Sequence, residues 1–180
     1  MNSETRRIVV TGAPGTGKTA ILSAITGIDI VPEPARIVLA EQRALDETGT
    51  PERDPRRFVE LLLGRSIENH RNAKAGKPVL FDRGVPDCIA YALLLGADPE
   101  PCIQATSRYR YEATVLVARP WAEIYTTDDE RKMTFDATLE FQRLIEEAYL
   151  GAGYMLVEIP RGKLEERAAF VRHFLEQARV

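Results

Sequence analysis

The segment Gly12-Ala13-Pro14-Gly15-Thr16-Gly17-Lys18-Thr19 fills every fixed position of G-x-x-x-x-G-K-[ST], the spacing that wraps backbone around a string of phosphates. Glycines let the chain curl so that successive N–H groups face inward on phosphate oxygens. The helix that follows adds partial positive charge at its first turn. Lys18 is then placed to reach the β- and γ-phosphates, and the Thr19 hydroxyl to ligate Mg²⁺. A β-branched run, Arg7-Ile8-Val9-Val10-Thr11, precedes the loop as a strand, and residues 19–25 follow it as a helix.

A second group of residues has the chemistry to work beside such a loop. Phe81-Asp82-Arg83-Gly84 puts a carboxylate at the end of an apolar strand, where it holds Mg²⁺ directly or through water, and sets Arg83 to reach phosphate oxygens. Glu33-Pro34-Ala35-Arg36 stands at the carboxyl end of another strand, which points both charged groups at the cleft. There Glu33 takes a proton from an acceptor hydroxyl or binds a sugar hydroxyl, and Arg36 holds an acceptor phosphate or carboxylate. The polar segment 126–132 reads as part of a lid over about 120–135, with Arg131 delivered to the transferring phosphoryl group. Trp121 either stacks on a ligand or anchors that lid. Pro160-Arg161-Gly162 lies after the last strand, a position suited to a purine-binding loop. Catalysis is thus assigned to Lys18, Glu33, Arg83 and Arg131, and metal binding to Thr19 and Asp82. Substrate binding is assigned to Glu33, Arg36 and Arg83.

The elements that must position these groups alternate along the whole chain. Short apolar strands are expected at 28–31, 78–82, 114–118 and 154–159 besides the first. Helices are expected at 34–48, from Pro55 to about Ala75, and at 88–95, 99–108, 135–150 and 163–179. Strands that are apolar throughout suit a parallel sheet covered on both sides. The expected fold is therefore α/β, a doubly wound five-stranded parallel sheet in a single domain over 1–180, with ligands at the carboxyl ends of its strands.

Composition narrows the function classes. The 180 residues carry a net charge of −3, which argues against a nucleic-acid-binding surface. No apolar run approaches the roughly 20 residues of a membrane span, and the N-terminus has no signal-peptide pattern. Cys88 and Cys102 have neither metal nor redox spacing and fit a reducing cytoplasm. His70 and His173 read as structural, and 108–111 as an amphipathic segment rather than a base-stacking one.

Taken together, the phosphate loop, Glu33-Pro34-Ala35-Arg36, Asp82-Arg83-Gly84, Pro120-Trp121 with Asp129 and Arg131, and the strand into Pro160 resemble the NadR-like P-loop kinase/ATPase family. That family includes the nicotinamide riboside kinase domain of NadR regulators and AAA-labelled bacterial ATPases. The resemblance implies a nucleoside-kinase-like sheet with strand order 2-3-1-4-5 and Mg-ATP as donor. The chain departs from NadR in having no DNA-binding or adenylyltransferase segment, and in Ala122-Glu123-Ile124-Tyr125 lengthening the lid.

Two functions follow as expectations. One is a small-molecule kinase transferring the γ-phosphate of Mg-ATP to a nucleoside-like or other hydroxyl acceptor. The other is a slow nucleotide-dependent ATPase or GTPase-type switch acting on a protein or lipid partner. A conventional GTPase lacks its Asn-Lys-x-Asp segment here. A ring-forming AAA+ motor lacks the Asp-Glu strand end and the helical lid domain.

Overall fold

Alternate residues of the first strand go to opposite cores, and that alternation organises the molecule. In this computed structural model, which describes residues 6–74, 76–124 and 133–177, β1 is Arg7–Thr11. Val9 packs with Phe81, Val115 and Val117 on one side of the sheet, under Phe141, Ile145 and Tyr149. Ile8 and Val10 pack on the other side with Leu80, Leu116 and Ile159, under Ile21, Leu22, Val171 and Leu175. Each such apolar side chain, fully removed from water, contributes roughly 1.5–3 kcal/mol.

The remaining strands are β2 (Asp29–Val31), β3 (Val79–Asp82), β4 (Thr114–Val117) and β5 (Met155–Glu158). They form one five-stranded sheet in the order β2-β3-β1-β4-β5. All pairings are parallel, with Val10 opposite Asp82 and Thr11 opposite Val117. Helices α1 (Lys18–Ser23) and α7 (Leu164–Gln177) cover one face. Helices α4 (Asp87–Leu94) and α6 (Phe135–Gly151) cover the other. Beside them, α2 (Pro34–Ala44), α3 (Pro55–Asn72) and α5 (Glu100–Arg108) help build a third cluster around Phe58, Leu62 and Cys102.

Helix starts follow local chemistry. The Asp54 side chain accepts from Arg57 N at 3.0 Å ahead of Pro55, and Thr134 accepts from Ala137 N at 3.2 Å. The main departure from the expected elements is α2, which stops at Ala44 instead of running to 48. Asp46 takes a left-handed φ of 52°, and Glu47 N turns back to Gln42 O at 2.8 Å. Helix α3 likewise ends at Asn72, before Gly76, because Ala73 is already extended.

Candidate functional site

The loop between β1 and α1 is held by a backbone contact that admits no side chain. Gly12 has φ +137°, and a Cβ there would lie 2.1 Å from Ala118 O. Gly17, at φ +78°, caps α1 in the left-handed region. Lys18 is buried, and its Nζ donates to Ala13 O at 2.9 Å and to Thr16 Oγ1 at 3.3 Å. Burial, reinforced by the charge of Arg83, lowers the Lys18 ammonium to about 8. Thr19 is exposed at the rim. Behind the loop, Ala13 N donates to Gln142 Oε1 at 2.8 Å, and Gln142 Nε2 donates to Glu146 at 2.8 Å. Arg119, where the chain leaves β4, bridges Glu146 and Glu158 at 2.8 Å each. The phosphate loop is thereby tied through α6 to the segment that leads to Trp121.

At the ends of β2 and β3 the charged residues meet one another. Arg83, with the unusual left-handed φ of 71°, turns its guanidinium inward. Its Nε donates to Glu33 Oε1 at 2.7 Å and its Nη1 to Asp87 Oδ1 at 3.0 Å. The guanidinium lies over the Tyr91 and Phe141 rings at 5.8 and 5.7 Å. Burial opposes its charge, yet Tyr91, Glu33, Asp87 and Asp82 hold its pKa well above the ordinary value. Asp87 also accepts from the Thr11 and Tyr149 hydroxyls at 2.6 Å and from Gly84 N at 2.9 Å. Burial alone would raise Glu33, but the charges of Arg83, Lys18 and Arg36 and the Arg83 hydrogen bond hold it down at about 2. Arg36 Nε adds a 3.1 Å bond to the outer Glu33 oxygen. The Asp82 carboxyl is pushed up by burial, partly offset by Lys18, and its Oδ1 is buried without a hydrogen-bond partner among the described residues.

A cleft of about 970 Å³ opens over this arrangement. The loop from Pro14 to Thr19, Glu33, Arg36, Trp121 and Arg167 all line it. Asp82 and Arg83 do not: they form the buried floor beneath it. The expectation that Arg83 reaches out to phosphate oxygens thus meets a guanidinium already engaged by Glu33 and Asp87. Arg131 and Asp129 lie outside the described residues. Trp121 is buried beside a single 3₁₀ turn, Ala122–Ile124. His70 is structural as expected, with Nε2 bonded to Arg110 O at 2.8 Å. Cys88 and Cys102 are buried and free.

Sequence reasoning missed Asp87, Tyr149, Gln142 and Arg167. Two of these left a signal. Asp87 stands four residues after Arg83, an opposite charge close by in the chain. Arg167 interrupts the apolar stripe of Leu164, Ala168, Val171 and Leu175, a cation on a face that packs inward. Tyr149 and Gln142 read as ordinary residues of α6, because their partners are remote in sequence.

The model of a family described as an AAA domain matches residues 7–167, and the chain belongs to that family. Comparison with curated proteins finds no match. Among solved structures, deoxyadenosine kinase from M. mycoides superposes with a TM-score of 0.65 at 15% identity, covering 95% of this chain and 99% of that one. The NadR protein in complex with NR gives 0.67 at 19% identity, with 96% of this chain covering 51% of that one. Thymidylate kinase from Candida albicans gives 0.61 at 15% identity, covering 97% and 92%. These likenesses establish the P-loop NTPase fold. The family match and the likeness to NadR agree with the family that the residues pointed to.

Proposed function

We propose that this protein is a small-molecule kinase that binds Mg-ATP on the loop from Gly12 to Thr19 and phosphorylates a hydroxyl of an acceptor seated in the same cleft. The observation that carries the reading is the continuity of that cleft. It runs from the phosphate loop to the start of α2, where Glu33 and Arg36 line it. A second molecule therefore has room directly beside the phosphates. The solved structures of the same fold that share most of this chain's length include nucleoside, thymidylate and shikimate kinases.

The roles follow from the geometry. Backbone N–H groups of the loop and the Lys18 ammonium would neutralise the phosphate chain. Glu33, ionised at neutral pH and fixed by Arg83, would accept a hydrogen bond from the acceptor hydroxyl and aim it at the phosphorus. Its low proton affinity makes it an orienting group rather than a proton store. A loose phosphoryl-transfer transition state needs little proton removal before the bond to the leaving group breaks. Arg36, at the exposed end of the Glu33 pair, would meet an anionic or polar group on the acceptor. Arg83 and Asp87 act at one remove, holding Glu33 in place.

The residues present fit a hard cation: Thr19 offers an exposed hydroxyl at the loop's end, and on the floor beneath the cleft Asp82 keeps a buried carboxylate oxygen, Oδ1, without a partner among the described residues. Mg²⁺ held there would supply charge neutralisation at the transferring phosphoryl group.

ADP release from Mg-ATP, measured alone and with nucleosides, nucleotides, sugars and hydroxy acids in turn, tests the proposal. A large rise with one acceptor class is expected. The Glu33→Gln protein should then lose about 10–100-fold in kcat/KM for that acceptor with the affinity for Mg-ATP little changed. A slow rate indifferent to every acceptor would overturn the kinase and favour a nucleotide-dependent switch.

A further inference from the structure

Arg167 is 4% exposed, and two of its nitrogens, Nε and Nη2, are buried without any hydrogen-bond partner among the described residues. A guanidinium out of water and unpaired costs several kcal/mol, so a buried arginine normally finds a carboxylate. No carboxylate within ion-pair distance of Arg167 is found among the described residues. Its neighbour Glu166 accepts instead from Lys163 N at 3.0 Å. Packing holds the group where it is. The Trp121 ring lies 4.8 Å from the guanidinium carbon, and α7 carries the side chain out of the core around Ala168 and Val171.

Its other neighbour is the phosphate loop itself. A Cβ added to Gly17 would come within 2.8 Å of Arg167 Nη1, so the guanidinium lies directly against the loop backbone at the first turn of α1. The left-handed φ of +78° is what calls for glycine at that position, and the absence of a side chain leaves the space that the guanidinium occupies. Arg167 also lines the same cleft as Lys18. A planar fork of donors, fixed by an aromatic plate and lacking an internal partner, stands where an anion would be cradled by backbone N–H groups.

We infer that Arg167 is a second phosphate-binding residue, whose free guanidinium nitrogens grip the phosphate chain of the bound nucleotide from the α7 side, with Trp121 as its backing. The inference rests on the nucleotide reading above and assigns to α7 a cation that the motif does not contain. Arg167 positions the phosphates, and the transferring group is handled by the loop and Lys18.

The test is calorimetric titration of the intact protein with Mg-ATP, Mg-ADP, AMP and inorganic tripolyphosphate, for the wild type and for Arg167→Gln and Arg167→Lys. Because Trp121 is the only tryptophan in the sequence, its fluorescence gives a second readout at the same place. The expected result is a loss of about 10–100-fold for Mg-ATP and tripolyphosphate in Arg167→Gln, a smaller loss for AMP, and partial recovery in Arg167→Lys. Equal losses for all four ligands, or none, would overturn the phosphate contact while leaving nucleotide binding intact. A wild-type protein that binds none of them would overturn the nucleotide reading itself. Should Arg167→Gln fail to fold, Arg167→Lys keeps the charge without the fork, and its loss must still fall on the polyphosphates first.

Discussion

Two polar centres of this molecule, the Asp87 carboxylate and the Arg167 guanidinium, are built in opposite ways. At the floor of the cleft, the Asp87 carboxylate is saturated: a guanidinium, two hydroxyls and a backbone N–H all donate to it. At the mouth, among the described residues, Arg167 keeps two buried nitrogens without a partner, and Lys18 bonds only to oxygens of its own loop. A low-dielectric interior rewards full satisfaction and penalises anything less. The Asp87 carboxylate obeys that rule; the Arg167 guanidinium departs from it, as do Asp82 Oδ1 and Arg83 Nη2 at the floor. On the reading proposed above, the Asp87 network is scaffold and the mouth is receptor, completed by an anion of the bound nucleotide.

Breaking the floor gives the largest expected effect. Asp87→Ala removes the acceptor shared by Arg83, Thr11, Tyr149 and Gly84, leaving a buried guanidinium with Glu33 as its remaining carboxylate partner. Loss of one partner of such a buried network costs about 3–5 kcal/mol. Urea denaturation should show that loss, together with weaker acceptor turnover as Glu33 comes free. A change below about 1 kcal/mol would mean that the floor is not a scaffold.

Breaking the mouth should leave stability alone. Lys18→Ala removes a buried ammonium whose pKa burial has already lowered, so folding stability should stay the same or rise slightly. Affinity for Mg-ATP should fall on the order of 100-fold, since charge-assisted bonds to phosphate contribute about 1.5–3 kcal/mol. Calorimetric titration beside a thermal melt separates the two. If stability and affinity fell together, the contrast between receptor and scaffold would collapse.

How much of this was legible in the sequence divides along the same line. The phosphate loop was readable because its backbone geometry demands glycines at fixed spacing, and the parallel sheet because short strands such as Val115-Leu116-Val117 are apolar throughout. The strand-end rule also placed Glu33 and Asp82 correctly at the carboxyl edge. It could not say which way a side chain turns there. Arg83 was expected to face the cleft, but its side chain turns inward onto Asp87 from a left-handed backbone; the four-residue spacing of the two hints at the pair but not at that backbone. The ties from Tyr149 to Asp87 and from Gln142 to Ala13 join residues 62 and 129 positions apart. Contacts at such separations come from helix packing over the sheet, which residue spacing does not record.

A pH titration sharpens the comparison, because the two clusters are set to respond at opposite ends of the scale. Glu33, depressed from 4.5 to about 2, binds its proton less readily in the folded chain than in the unfolded one. Its stabilising contribution is complete above about 4.5 and is lost as pH falls toward 2. Lys18, lowered from 10.5 to about 8, gives up its proton in the folded chain while the unfolded chain still holds one. Between these values the unfolded state binds more protons, so the Lys18 contribution to stability rises with pH, by at most about 1.4 kcal/mol per pH unit. Binding moves the other way. Only the ammonium pairs with phosphate, so above about 8 each nucleotide must bring a proton in with it. The Mg-ATP dissociation constant should then rise up to about tenfold per pH unit above that point and stay flat between pH 6 and 7.5. Calorimetry at pH 8.5 in buffers of different ionisation enthalpy should register the proton uptake, and the Lys18→Ala protein should show none. An affinity that is flat through pH 9 would mean that Lys18 stays charged in the free protein, and the mouth would then be better compensated than its burial implies.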